Sequence, residues 1–130
     1  MAGGGALPVT LALGRSAQSG SYTMAGVWQA VYSDSDTFPY IFYGGEIDLT
    51  NMAEGDLLRI RMRKRQTSGG AWRVMSQLPY IGLQPIGKKL VPVPALPDVY
   101  GFEVSMIQDL VAVAFISVTC DWFPAKRPGV

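Results

Sequence analysis

The sequence contains no histidine and a single cysteine, Cys120. Without imidazole there is no Ser-His or Cys-His nucleophilic pair, no histidine general base and little chance of a zinc site. One thiol can neither close an intrachain disulfide nor build a thiolate cluster, and Cys120 sits in an apolar run, where it reads as a small buried hydrophobe. Charge is scarce as well. Asp, Glu, Lys and Arg make up 16% of the chain against about 25% in an average soluble domain, so the surface is either plain or covered by something else. Hydrophobic residues reach 48%, which excludes intrinsic disorder, yet no uninterrupted apolar run approaches the roughly 18 residues of a membrane helix. No P-loop, nucleophile elbow or dinucleotide-binding glycine motif is present. Catalysis therefore has no positive support, and the expectation is a non-enzyme without cofactor or metal. The question becomes what the chain binds.

Helical periodicity is the next absence, apart from one turn's worth near 49–54. Nine prolines and fifteen glycines break the chain every few residues, and the runs between them favour Val, Ile, Tyr, Phe, Trp and Thr, which suit a pleated, half-buried surface. Eight strands are expected near 7–13, 21–32, 38–49, 56–66, 71–80, 86–93, 99–108 and 112–122. In 130 residues they suit an all-β, eight-stranded, jelly-roll-like β-sandwich, with a Greek-key barrel as the alternative. Thr67-Ser68-Gly69-Gly70 marks the clearest hairpin, and Gln108-Asp109-Leu110-Val111 a turn between the last two strands. Gly44-Gly45 is either a bulge or a turn. Four prolines between 85 and 97 confine that segment to an edge or a loop. No basic residue precedes Arg15, so the apolar start does not read as a targeting signal. Residues 1–20 are expected to form an arm with the first strand, 21–123 the sandwich, and 124–130 a tail in which two prolines stop the final strand.

Alternation is sharpest between Asp56 and Gln66. Leu58, Ile60 and Met62 share one face, and Arg59, Arg61, Arg63 and Arg65 form a row about 20 Å long on the other. With Val104, Met106, Ile116 and Val118, the apolar set is the expected core. Three roles are open to the row: a solvated face with cross-strand acids, a carboxylate-lined protein interface, or a phosphate site. Net charge is −3 over residues 1–50, +4 over 51–75 and zero over 76–130. The overall +1, with Trp72 the main aromatic near the row, favours a protein partner over nucleic acid. In the last strand Val113 and Phe115 fall opposite Ala114, Ile116, Val118, Cys120 and Trp122, which implies cover from both sides by an arm or a second subunit. The candidate interface is thus Arg59, Arg61, Arg63, Arg65, Trp72, Val113 and Phe115. Asp34, Asp36, Glu46 and Asp48 lack the spacing of a calcium loop and read as solvated carboxylates. Of the aromatics Phe38, Tyr40, Phe42 and Tyr43, the pair Tyr40 and Phe42 shares a face and reads as core.

Two stretches carry a family likeness. Ile47-Asp48-Leu49-Thr50-Asn51-Met52-Ala53-Glu54-Gly55-Asp56, the arginine strand and Gly69-Gly70-Ala71-Trp72 form the first. Tyr100-Gly101-Phe102-Glu103-Val104-Ser105-Met106-Ile107-Gln108 and a strand closing on Asp121-Trp122 form the second. Together, over residues 45–123, they resemble small virion structural proteins of tailed phages, of the capsid decoration (cement) type. The resemblance implies a non-catalytic subunit of the virion, assembled in the host cytoplasm. Its implied partners are the major capsid protein and other copies of itself, most simply as a trimer; no small-molecule substrate or membrane is expected, and nucleic acid is disfavoured by the charge balance. Leu110-Val111-Ala112 departs from the pattern, where a glycine turn is expected. A rival from another class is a carbohydrate- or nucleic-acid-binding β module; a rival within the class is a minor tail or shell-forming subunit.

Overall fold

A computed structural model describes residues 12–13, 15–34, 40–98 and 100–126. The strands are β1 (Ala12–Leu13), β2 (Gly20–Thr23), β3 (Gln29–Asp34), β4 (Tyr40–Asp48), β5 (Leu57–Lys64), β6 (Arg73–Ile81), β7 (Leu90–Val93), β8 (Leu96–Asp98), β9 (Phe102–Leu110) and β10 (Ser117–Lys126). A 3-10 turn, Ile86–Lys88, precedes β7. Most of the first expected strand, together with Asp36 and Phe38, lies outside the described residues.

The topology follows from one long hairpin folded over. Its tip is the Thr67–Gly70 turn, closed by the Gly70 amide donating to the Thr67 carbonyl at 2.9 Å, with Gly69 at φ +65° where only glycine is comfortable. Moving back from the tip, β5 pairs with β6, β4 with β7, β3 with β9 and β2 with β10, all antiparallel. Successive pairs go to opposite sheets. One sheet runs β3-β9-β5-β6; the other runs β1-β10-β4-β7, with β2 also on β10 and β8 also on β4. Eight nested strands in two antiparallel sheets make the expected jelly-roll-like sandwich.

Between the sheets lies one apolar cluster. Leu58, Ile60, Val104, Met106 and Val118 are buried in it, while Met62 and Ile116 are partly buried against it. An aromatic centre joins Tyr32, Phe42, Phe102 and Trp122 through five tilted ring contacts, with centroids 4.9–6.2 Å apart, the usual spacing of packed aromatic pairs. Gly45 lies under Trp122: a Cβ there would come within 2.3 Å of the indole. Gly44 and Gly45 sit inside β4 and not in a turn, and between the Gly45–Trp122 and Phe42–Pro124 pairs β4 has one residue more than β10, so the two glycines mark a bulge. Phe42 is core as expected, and Tyr43 is 46% exposed.

Four expectations need correction. The run 21–32 is two strands in opposite sheets, because the chain crosses over at 24–28. The last two strands do not meet in a turn: β9 and β10 belong to different sheets, and 111–116 bridges them. β10 does not stop at the prolines but runs through Pro124, where its pairing with β4 shifts register and a residue without N–H can be tolerated. No helical turn forms at 49–54; the Met52 amide instead donates to the Leu49 carbonyl in a tight turn.

Candidate interaction surfaces

On the outer face of the four-stranded sheet, the arginine row and two tryptophans form a layer. β5 is flanked by β9 and β6, so Arg59, Arg61 and Arg63 stand beside Ile107, Ser105 and Glu103 of β9. The Arg59 Nε donates to Asp109 Oδ2 at 2.5 Å and its Nη2 to Oδ1 at 3.1 Å. Arg63 Nε and Nη2 donate to the same Glu103 oxygen at 3.0 and 2.6 Å, and Ser105 Oγ donates to that oxygen too. The Arg59 contact raises that guanidinium's pKa and holds the Asp109 carboxyl below its ordinary range.

Arg61 and Arg65 differ. Neither forms a salt bridge among the described residues, and the Nε of each is buried without a hydrogen-bond partner. They lie instead over indoles: Arg61 is 4.1 Å from the Trp28 centroid and Arg65 4.5 Å from that of Trp72. The carboxylate-bound arginines share the same rings, Arg59 at 5.2 Å from Trp28 and Arg63 at 5.5 Å from Trp72. Burial, reinforced by Arg63, lowers the Arg61 pKa. The layer roofs the middle of β9, whose outward residues Glu103, Ser105 and Ile107 are buried along with the inward ones. Arginine stems supply apolar cover, while the heads of Arg59 and Arg63 reach carboxylates and those of Arg61 and Arg65 lie over indoles. A row expected to lie simply outward is thus half closed on this chain's own acids. Trp72 was expected beside it; Trp28 was not, because it immediately precedes β3, two strands away, and only long-range pairing brings it there.

A second surface occupies one end of the sandwich. Segments 24–28, 49–56, 82–89 and 111–116 all turn there. The Met24 amide donates to the Ile116 carbonyl at 2.8 Å and the Gln108 amide to the Ala25 carbonyl at 2.9 Å. Val113 and Phe115 are not in a strand with cover on both sides. They lie in the bridge to β10, 96% and 46% exposed. The physical reason is a buried polar pair beneath them. Asp56 accepts from the Ala53 amide (2.9 Å), the Ala112 amide (2.9 Å) and Gln108 Nε2 (3.1 Å). Gln108 also donates to the Leu110 carbonyl at 3.3 Å and accepts from the Ile116 amide at 3.0 Å. These side chains take the backbone groups that a continuing strand would use, and so shape the bridge.

Elsewhere the chemistry is sparse. Burial pushes the Cys120 thiol up to about 12, so it is a packing residue and a poor nucleophile. Asp48 accepts from the Thr50 amide at 2.9 Å, and the described residues hold no group of three or more Asp, Glu or Cys side chains suited to a metal. An open cleft where the two sheets part at the edges of β6 and β7 is lined by Tyr80, Gln84, Lys88, Leu90 and Pro92. No helix among the described residues is long and apolar enough to cross a membrane.

No protein-family model matches the sequence, and neither does any characterised protein. Among solved structures, the sandwich is similar to VP2 of infectious bursal disease virus, a viral capsid protein solved as a subviral particle. The likeness has a TM-score of 0.50 at 13% identity and covers 89% of this chain. The chain spans about a third of that protein's length, 32%. At that identity the likeness defines a class of fold, the viral jelly-roll-like sandwich.

Proposed function

We propose that the chain is a virion structural protein, a capsid decoration or cement subunit that binds the major capsid protein of a phage shell and stabilises the shell. The observation that carries this reading is the fold itself: almost the whole chain, 89% of it, follows a viral capsid protein. The surface supports it in a second way. Arg59 and Arg63 are held by this chain's own carboxylates, while Arg61 and Arg65 form no salt bridge among the described residues and Val113 and Phe115 are exposed to the apolar side chains of a partner. Each contact is weak alone, and repetition in a homo-oligomer, a trimer in the simplest form, multiplies them by avidity. The work is adhesive, without catalysis or cofactor, in the virion after assembly in the host cytoplasm. Nucleic acid fits the arginine row less well than a protein does, since guanidinium groups cover both indoles and leave no free stacking platform.

The test is co-sedimentation of the purified chain with shells of the encoding virus that lack it. Saturable binding at a fixed number of copies per shell, with a higher shell melting temperature, is the expected result. Absence of binding overturns the proposal. A second reading, a shell-forming subunit, is favoured by VP2 having been solved as a subviral particle. Closed particles formed by the chain alone would select it.

A further inference from the structure

The end of the sandwich built on Asp56 and Gln108 is inverted relative to an ordinary loop cluster. Its polar groups are inside: Asp56 is 2% exposed and Gln108 1%. Its apolar groups are outside: Val27, Ile81, Leu83, Leu110, Val113 and Phe115 are all large and exposed. They converge. Ile81 and Leu110 both pair with Leu57, one from each side. A Cβ on Gly26 would meet the Phe115 ring at 3.8 Å, one on Gly55 the Ala112 side chain at 3.2 Å, and one on Gly82 the Glu54 backbone at 3.9 Å. The fractional exposures of the six amount to roughly 600–800 Å² of surface, at or above the ~300–600 Å² of the largest patch on a typical monomer.

We infer that this end is where copies of the chain meet, packed end to end about a closed symmetry axis. The inference rests on the self-association half of the proposed function and names its surface. Three observations select a second copy as the occupant. Covered by other copies, the patch buries roughly 600–800 Å² on each chain, close to the per-partner area of a stable specific interface. The ionisable side chains of the four segments are Glu54, the buried Asp56, Lys88 and Lys89, so two such ends meet without a large field of either sign. That same near-neutrality gives little to a lipid headgroup layer, which recruits clusters of cations. Finally, the hydrogen bonds of Asp56 and Gln108 fix the bridge, so Val113 and Phe115 are held in place before contact and little order is lost on association.

The experiment is light-scattering mass against concentration for the full chain and for Val113→Asp and Leu83→Asp, which lie on different segments and are exposed enough to leave folding intact. Circular dichroism and melting confirm the fold, and Gln77→Ser on the outer sheet face is the control. The expected result is an oligomer for wild type and control, with the dissociation constant raised at least about tenfold for each Asp variant. A wild-type oligomer that both Asp variants retain overturns the inference while leaving self-association standing. A wild-type monomer overturns both.

Discussion

The two ends of the sandwich are built on opposite rules. At one, the β5–β6 turn presents Gln66, Thr67, Ser68, Gly69 and Gly70, and its closing hydrogen bond is its own. Among the described residues of 65–72 and 94–101 there is no exposed large hydrophobic side chain. At the other end the loops carry Val27, Leu83, Val113 and Phe115 outward, over a carboxylate and an amide that are buried. Loops ordinarily lie on the surface and are polar because water satisfies them. Where buried side chains satisfy the backbone instead, the loop is free to expose apolar residues, and the chain gains a preformed sticky surface. The low charge of the sequence has its structural counterpart there.

The comparison breaks most visibly at Asp56. Asp56→Ala orphans two backbone amides and removes one of the two acceptors of Gln108 Nε2, and should cost about 2–4 kcal/mol in a denaturant titration, whereas Thr67→Ala at the opposite end should cost under about 1 kcal/mol. A similar contrast sits within the arginine layer. Arg63→Gln leaves the buried Glu103 carboxylate without its cation and should cost about 1–3 kcal/mol, measured the same way. Arg61→Gln removes a guanidinium that has no acid, and its loss of indole contact is offset by relief of burial, so stability should change by less than about 1 kcal/mol.

The smallest effect is in pH. Asp109 has its folded-state pKa depressed by the Arg59 hydrogen bonds, so its contribution is complete above the ordinary carboxylate pKa of about 3.9 and is lost as pH falls through the lower folded value. Wild type should melt slightly above Asp109→Asn at neutral pH, and the two melting curves should converge by about pH 2–3.

Much of this was legible from local pattern. Leu58 and Ile60 against Arg59 and Arg61 is a two-residue period that any half-buried strand must show, and the Gly69-Gly70 turn follows from backbone freedom. What escaped was set by distant pairing. Nothing near Trp28 announces that Arg59 and Arg61 will lie over it, since β9 stands between their strands. The break between β2 and β3 is marked only by Gly26 in a run whose composition stays strand-like on both sides. The bridge 111–116 has the residues of a strand, and it is Gln108 and Asp56, the latter some fifty residues away in the chain, that take its backbone groups. For Val113 and Phe115, sequence pattern identified the apolar surplus but not the loop that displays it.

The division of labour between the surfaces has one direct measurement. Cys120 is buried with its thiol pushed up to about 12, so wild type should resist alkylation at mildly alkaline pH and a thiol introduced elsewhere reports alone. The rate of maleimide labelling is followed against protein concentration for Val113→Cys, at the apolar end, and Gln77→Cys, exposed beside Arg61 on the outer face. The account predicts that the thiol at 113 becomes protected as concentration rises while the thiol at 77 labels at a constant rate. Protection at 77 with constant labelling at 113 would contradict it.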